Sequence, residues 1–551
     1  MQPTLPQQNV LTEIFSDLTQ NYLVMGVPGA GKTTLISMVA NKFNQLGIND
    51  IVALTFSRNL AEDMQNKVEI GTVKTAHAYM YESLRNYLKL HHFTISKGQL
   101  VKQPDGTTRY SNVNDNLLRQ IVYTHCKTTF GLIDSKVVPQ DMVKEFYGLM
   151  YDIINCTNKI RTLALDYEKD VIKIHELLDL KFGPQTVNDS LTVLKSLTDS
   201  FFLRGMMDFM GMLYIPLIRP EVHDKIHSPE VLIIDEVNDN TKLLENAYRV
   251  IARNSKQVIA VGDEKQTIHI WAGANPNGVK DLQEYYQAKK LTYDFTFRVP
   301  KAMCRYLQSS GIDTRIKTYE HNKEGAILKA SYNEFLSKVA NGDMVLCRYN
   351  RGTKVKRTLQ QISIDLITRR KKVAFHGSTH IEDISEVLRL SEPLPHNATK
   401  QKLKDHVSNC IKNAIATEYT DKDLTKDNYR CEQLKEKLGT FILYFDFFAA
   451  MQLFQTFDVK KFIPFLEGMY AKTEDAIQLY SIHRCKGLET KSKAWIFHFE
   501  VLVADASNTD SELSARIEAH NLALVALTRS KDMTIMVECA LPEFFPTPTA
   551  G

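Results

Sequence analysis

The stretch YLVMGVPGAGKTT, residues 22–34, runs an apolar segment into a glycine-rich turn and then into a helix-forming sequence. Its last nine residues, GVPGAGKTT (26–34), fit G-x-x-x-x-G-K-[ST] in full. They follow the strand-like YLVMG and open LISMVANKFNQLG, which stops at Gly47, so both context tests for a phosphate-binding loop are met. Glycines let backbone N–H groups turn toward phosphate oxygens, and a helix N-terminus adds partial positive charge. Lys32 places a point charge near the β- and γ-phosphates, and Thr33 offers its hydroxyl to Mg²⁺.

A site for ATP and Mg²⁺ needs a further carboxylate on the metal side and a group that orients or deprotonates water. VLIIDEVNDN (231–240) offers both at the end of an apolar run: Asp235 as metal ligand and Glu236 as base. Beside these, YLVMG, DIVALTFS (50–57), EVLIIDE (230–236) and QVIAVGD (257–263) read as strands of a parallel sheet, apolar throughout because helices cover both faces. A second set, DMVLCRY (343–349), KVAFHG (372–377), AIQLYSIH (476–483), KAWIFHFEV (493–501) and MTIMVECA (533–540), predicts a second α/β unit. Long stretches rich in helix formers, 81–216 and 390–474, interrupt the two sets as insertions.

Composition bounds the rest. A chain of 551 residues exceeds one ordinary core, so several domains of about 100 to 200 residues are expected. With 68 Lys+Arg against 64 Asp+Glu the net charge is +4, so nucleic acid would be met by a local cleft, the whole molecule being no polycation. The eight cysteines form no C-x-x-C pair, which argues against a disulfide framework or zinc ribbon. The start MQPTLPQQNV lacks a basic leader and an apolar core, and no apolar run of about 18 residues occurs. A cytoplasmic protein with no membrane partner is expected, in a host cell's cytoplasm if phage-encoded.

A phosphate loop and an Asp-Glu pair fit kinases, ATPases, GTPases and helicases alike. LTFSRNLAEDM (54–64), TVKTAHAYM (72–80), VGDEKQTIHIWAGA (261–274), FTFRVP (295–300), LYSIHRCKGLE (479–489) and LALVALTRSKD (522–532) narrow the choice. In this order they resemble motifs Ia, the following T-x-H segment, III, IV, V and VI of the UvrD/Rep/PcrA branch of superfamily 1 helicases. The forms H-x-x-K-G-L-E and G-D-x-x-Q-x-I-x-x-W-x-G-A are those of its 3′→5′ branch.

The resemblance implies an α/β fold of two RecA-like motor domains with parallel sheets, each carrying a mostly helical insertion. The implied division is 1–80 and 217–291 for domain 1A, with 81–216 as 1B, then 292–389 and 475–551 for 2A, with 390–474 as a shortened 2B. It further implies that Gly26, Gly29, Ala30, Gly31, Lys32, Thr33 and Thr34 cradle the nucleotide and that Gln266 senses the γ-phosphate and the water. Arg298 and Arg529 would be arginine fingers, Gly487 and Glu489 would lie near the nucleotide, and Phe297 would meet the base. Gln7 matches the adenine-reading glutamine, with its neighbour Gln8 left open. Single-stranded DNA and its junctions with duplex are the implied substrate, together with loading or complex partner proteins. Trp271 would stack on bases, followed by Phe56, then His269 and His77, and Arg348 is balanced between a backbone phosphate and a structural salt bridge.

Several positions depart from the pattern. Asn238 stands where glutamine is usual, Thr34 and Ala272 where arginine is common, Phe297 for tyrosine, and Asn521 and Leu524 for arginine and tyrosine. Asn238 keeps a donor and an acceptor on a shorter arm, so hydrolysis is expected to survive while its coupling to DNA changes. After Arg529 no room is expected for a nuclease of the RecB or AddA type. The leading expectation is an ATP-dependent 3′→5′ DNA helicase or translocase, with separation of strands less secure than movement along one. The alternative is a nucleotide-gated strand-binding subunit of a repair, replication or phage-conflict complex that turns over poorly alone. A P-loop kinase would leave Trp271 and motifs V and VI without work.

Overall fold

A computed structural model describes residues 3–55, 61–62, 65, 72–90, 100–102, 108–110, 112–133, 138–139, 142–352, 355–376, 380–395, 398–418, 427–451, 459–508 and 512–546. The chain forms two compact units, one of Met1–Gly26 and Gly31–Tyr293, the other of Val27–Ala30 and Asp294–Gly551.

The first unit is built on a sheet of β1 (Tyr22–Gly26), β2 (Ile51–Thr55), β3 (Thr72–Thr75), β4 (Val231–Ile234), β5 (Gln257–Gly262) and β6 (Lys289–Tyr293). Its order is β3-β2-β4-β5-β1-β6 and every pairing is parallel. Side chains alternate across a pleated sheet, and both faces here are apolar. Tyr22, Val24, Ile51, Ala53, Ile233 and Ile259 pack with helices Leu5–Ile14 and Lys32–Gln45. Leu23, Met25, Val52, Leu54, Leu232 and Ile234 join the opposite core, which continues without a break into helices Leu117–Thr129, Val143–Thr162 and Pro184–Arg204. The first helical stretch therefore shares its core with the sheet.

The second unit holds β7 (Ala326–Ala330), β8 (Met344–Cys347), β9 (Val373–His376), β10 (Ile477–Ser481), β11 (Lys493–Phe497) and β12 (Met533–Val537). The order is β7-β12-β11-β8-β10-β9, again all parallel. Helices His380–Leu390, Lys400–Glu418, Asp427–Ala450 and Val459–Gly468 build a further core around Ile384, Phe441, Phe445 and Phe462. Two six-stranded parallel sheets flanked by helices agree with the expected pair of RecA-like folds.

Within these two sheets, three strands lay outside the sequence reading: β3, β6 and β7. Each is a sheet edge, so solvent reaches it and its sequence mixes charge with apolar residues, as in KKLTY and AILKA. Among the described residues no helix is long and apolar enough to cross a membrane, and none of the eight cysteines is in a disulfide.

Candidate nucleotide site and strand platform

β1 is buried along its whole length and delivers the chain to the glycine-rich turn at Gly26. Gly29 (φ 71°) and Gly31 (φ 80°) take left-handed conformations that cost a side-chain-bearing residue but not glycine. Gly31 precedes helix Lys32–Gln45, and no side chain caps that helix. Its first-turn N–H groups, among them those of Lys32, Thr33 and Thr34, are consequently available to an anion. Lys32 Nζ donates to the Gly26 carbonyl at 3.1 Å, which holds the ammonium back over the loop. Gln7 is buried, and its Oε1 accepts from the Thr4 N–H (3.0 Å) and hydroxyl (3.1 Å) in a capping box, while Gln8 is exposed.

β4 lies beyond β5 from β1, so the carboxylate pair and the phosphate loop leave the same sheet at its C-terminal edge. The Asp235 N–H donates to the Leu54 carbonyl at 2.8 Å, and its Oδ1 accepts from the Glu236 N–H at 2.9 Å. Glu236 adopts φ 54°, rare for a residue with a side chain. That reversal separates the pair: Asp235 is 3% exposed, while Glu236 is partly open to solvent. The next turn explains the departure at position 238. Asn238 Oδ1 accepts from the Asp263 N–H at 3.0 Å, and Asp263 Oδ2 accepts from Gln266 Nε2 at 2.7 Å. Asn238 thus reaches Gln266 through two hydrogen bonds. Asp239 Oδ1 takes the Ile268 N–H at 3.1 Å, and the Asn238 carbonyl takes the Thr267 hydroxyl at 3.1 Å. A β-carbon on Gly262 would stand 2.9 Å from Asn238 Oδ1, so the short amide fits a space closed on that side by backbone.

The same segment presents Trp271, 72% exposed, on a short turn at Ile270–Ala272, with His269 half-buried just before it. Gly273 closes the turn at φ 97°, and a β-carbon there would come within 2.7 Å of the Thr162 methyl. The helix ending at Thr162 therefore backs the tryptophan loop. It is itself fixed by a buried ion pair, Arg161 Nη1 to Asp208 Oδ2 at 2.6 Å, and Asp208 Oδ1 also takes the Gly211 N–H at 2.8 Å. His77 stacks on Phe209 with centroids 4.1 Å apart and planes 14° apart, and Phe209 is 49% exposed. Burial lowers His77 to about 4, so its ring is neutral near pH 7. Phe209 was missed from sequence because a lone Phe in MDFMGML carries no local signal. Phe56 lies outside the described residues.

In the second unit the Phe297 N–H donates to the Gly29 carbonyl at 2.8 Å, and a β-carbon on Gly29 would collide with Arg298 Cβ at 2.4 Å. Arg298 Nε binds Glu489 Oε2 at 2.8 Å, and Lys531 Nζ binds the other oxygen of the same carboxylate. Burial would raise Glu489, but Lys531 and Arg298 outweigh it and hold the carboxyl below its ordinary value. Phe297 packs against Tyr319 at 4.9 Å, and Tyr319 against His321 at 5.3 Å, an aromatic group of which only Phe297 was foreseen. Gly487 turns at φ 81°.

Arg529 is placed unlike an open finger, for it is 0% exposed. Its Nε donates to the Val525 carbonyl (2.7 Å), Nη1 to that of Leu488 (3.0 Å) and Nη2 to the Thr528 hydroxyl (2.9 Å). It ties motif VI to the motif V loop. Arg348 Nη1 meets both ring nitrogens of His483, at 3.2 and 3.1 Å, and His483 meets Glu518 at 3.3 Å. Among the described residues Arg348 pairs with this histidine and with no carboxylate directly.

Comparison with known proteins shows what this chain is similar to. The UvrD/REP helicase N-terminal domain matches residues 7–287, about half of the chain. Similar proteins include DNA helicase II of Haemophilus influenzae, 19% identical over 50% of this chain and 36% of that protein. The ATP-dependent DNA helicase srs2 of Schizosaccharomyces pombe is 20% identical over 49% of this chain and 30% of its own length. The Gabija protein GajB of Bacillus cereus is 22% identical over 56% of this chain and 63% of its own length. The chain thus spans less than two thirds of each of these relatives. With the phosphate loop, the carboxylate pair and the tryptophan loop all inside the matched residues, the chain belongs to the UvrD/REP helicase family.

Proposed function

We propose that the protein is an ATP-dependent translocase and helicase that moves 3′→5′ on single-stranded DNA, with ATP-driven closure of its two RecA-like domains as the stroke. The observation that carries this reading is the hydrogen-bonded path from Asn238 through Asp263 to Gln266. It ties the carboxylate turn to the segment that presents Trp271, so a change at a nucleotide is felt at a base-stacking surface. Asp235 and the Thr33 hydroxyl are hard oxygen donors of the kind Mg²⁺ takes, and the bound ion would neutralise developing phosphate charge. Lys32 and the uncapped helix N-terminus would hold the phosphates, Gln266 would orient the attacking water and Glu236 would accept its proton. Arg298, beside Gly29, would serve as the finger, and Phe297 with Tyr319 would receive the base. Trp271, His269 and Phe209 on His77 would stack on the strand without reading sequence. Membership in a family of DNA helicases supports DNA as the substrate.

A second reading, a strand-binding subunit with weak turnover alone, is favoured by Arg529, whose guanidinium is committed to backbone carbonyls. One assay separates them. ATPase of the isolated chain is measured with and without single-stranded DNA, alongside unwinding of 3′-tailed, 5′-tailed and blunt duplexes. DNA-stimulated turnover with opening of the 3′-tailed substrate alone is expected. Strand binding without turnover would favour the second reading, and preference for the 5′ tail would overturn the polarity. Glu236→Gln should retain nucleotide and strand binding while slowing hydrolysis by roughly 10²- to 10⁴-fold, and unchanged turnover would remove Glu236 as the base.

A further inference from the structure

We propose that Lys531 is a second polyphosphate-binding cation, held in reserve with Arg298 by the shared carboxylate of Glu489 and released when a nucleoside triphosphate arrives. This rests on the nucleotide reading above and adds a residue to it.

Three side chains make the device. Glu489 presents one oxygen to Arg298 Nε at 2.8 Å and the other to Lys531 Nζ. Two cations against one anion leave an excess positive charge. Backbone fixes the spacing: the Thr490 N–H donates to the Arg529 carbonyl at 3.0 Å and the Lys531 N–H to the Thr490 carbonyl at 3.0 Å. That register pairs Thr490 with Ser530 and leaves Glu489 and Lys531 one residue to either side of the bridge, within reach of each other. Arg298 is pinned from its own side, its N–H and that of Val299 both donating to Thr296 Oγ1 at 3.2 Å. Its Cβ lies where a side chain on Gly29 would have to go. The cationic group therefore stands next to a glycine of the phosphate loop.

Exposure decides whether the group can exchange partners. The Lys531 and Glu489 side chains are 35% and 38% exposed and that of Arg298 16%. An incoming phosphate can reach Lys531, and the displaced carboxylate can rehydrate, so the swap strands no charge in the interior. The carboxyl is held ionised by the two cations, which keeps both of them paired and oriented while no nucleotide is bound. Two donors for terminal phosphate oxygens predict preference for triphosphate over diphosphate, because the third phosphate supplies the charge that competes with Glu489.

The test uses the full chain and a fluorescent ATP analogue, displaced by ATP or by ADP in Mg²⁺. Lys531→Gln should weaken ATP about tenfold and leave ADP within about twofold, and Lys531→Arg should restore the preference. Glu489→Gln, which frees both cations, should strengthen ATP binding at low salt. It also keeps the proposal testable should Lys531→Gln not fold. Equal losses for ATP and ADP in Lys531→Gln, no loss at all, or weaker ATP binding in Glu489→Gln would each overturn the proposal. So would a Lys531→Gln defect confined to single-stranded DNA, which would make Lys531 a contact for backbone phosphate instead. If the unaltered chain bound neither nucleotide, the fault would lie with the nucleotide reading itself.

Discussion

The Asn238 amide accepts from the buried Asp263 N–H inside a space bounded by Gly262 and Val237, and that fit revises what its replacement should do. Asn238→Gln adds a methylene to a residue that is 1% exposed, and overpacking of this kind costs about 1 to 3 kcal/mol. Asn238→Ala removes the acceptor that the Asn238 side chain offers the Asp263 N–H, at a similar cost of about 1 to 3 kcal/mol. Both should lower the urea midpoint of the first unit, and a glutamine variant as stable as the parent would show that the turn can move. The shortened side chain is then matched to its surroundings, and its effect on coupling is read from the DNA stimulation of the ATPase in Asn238→Gln. At this scale the sequence carried what is local. G-x-x-x-x-G-K-[ST] and the Asp-Glu pair state their chemistry in consecutive residues, because one turn or one strand end positions each. Lys531, Tyr319 and Phe209 were invisible because their partners, Glu489, Phe297 and His77, are distant in the chain and meet only through strand register or packing. The burial of Arg529 escaped for the same reason, since a motif records an arginine but not the carbonyls around it.

Whole elements were legible according to where they lie in the sheets. Interior strands such as VLII and QVIAVG are buried at every position and announce themselves as apolar runs. Edge strands that carry lysines do not, which is why KKLTY and AILKA went unread, whereas the apolar edge strand VAFH was legible. The tryptophan loop shows what an element adds to a residue. Trp271 alone should supply about 1 to 3 kcal/mol of stacking per base, so Trp271→Ala should weaken single-stranded DNA binding, read by fluorescence anisotropy, with nucleotide affinity kept. Gly273→Ala leaves the tryptophan in place but puts a methyl group 2.7 Å from Thr162 at φ 97°. The loop must then shift, and DNA affinity should fall although no side chain proposed to touch the strand has been removed. Acrylamide quenching reports that shift directly, because Trp495, the other tryptophan, is 1% exposed and Trp271 dominates the accessible emission. Unaltered quenching and affinity in Gly273→Ala would mean that Thr162 does not brace the platform.

Across the whole molecule, acid tests both units through one kind of group. Burial depresses His77 in the first unit to about 4, and it depresses His380 in the second to about 4 against the opposing pull of Asp383. In the unfolded chain each imidazole titrates near 6.5. Between that value and about 4 the unfolded state binds more protons than the folded one, so stability falls as pH falls and is unaffected by these groups above pH 6.5 or so. Glu489, held low by its two cations, loses its contribution further down, as pH drops through the ordinary carboxylate range. The units need separate probes, since a chain of several domains does not unfold in one step. In a Trp271→Phe background the remaining tryptophan, Trp495, is packed in the second sheet's core and reports that unit alone. Its urea midpoint should decline from pH 7 to pH 5. His380 stacks on Tyr444 at 4.9 Å, so His380→Phe keeps an aromatic ring there and removes the proton, and it should flatten that decline. A slope unchanged by His380→Phe would mean that the histidine is protonated in the folded chain, and the acid sensitivity of the second unit would then belong to its carboxylates.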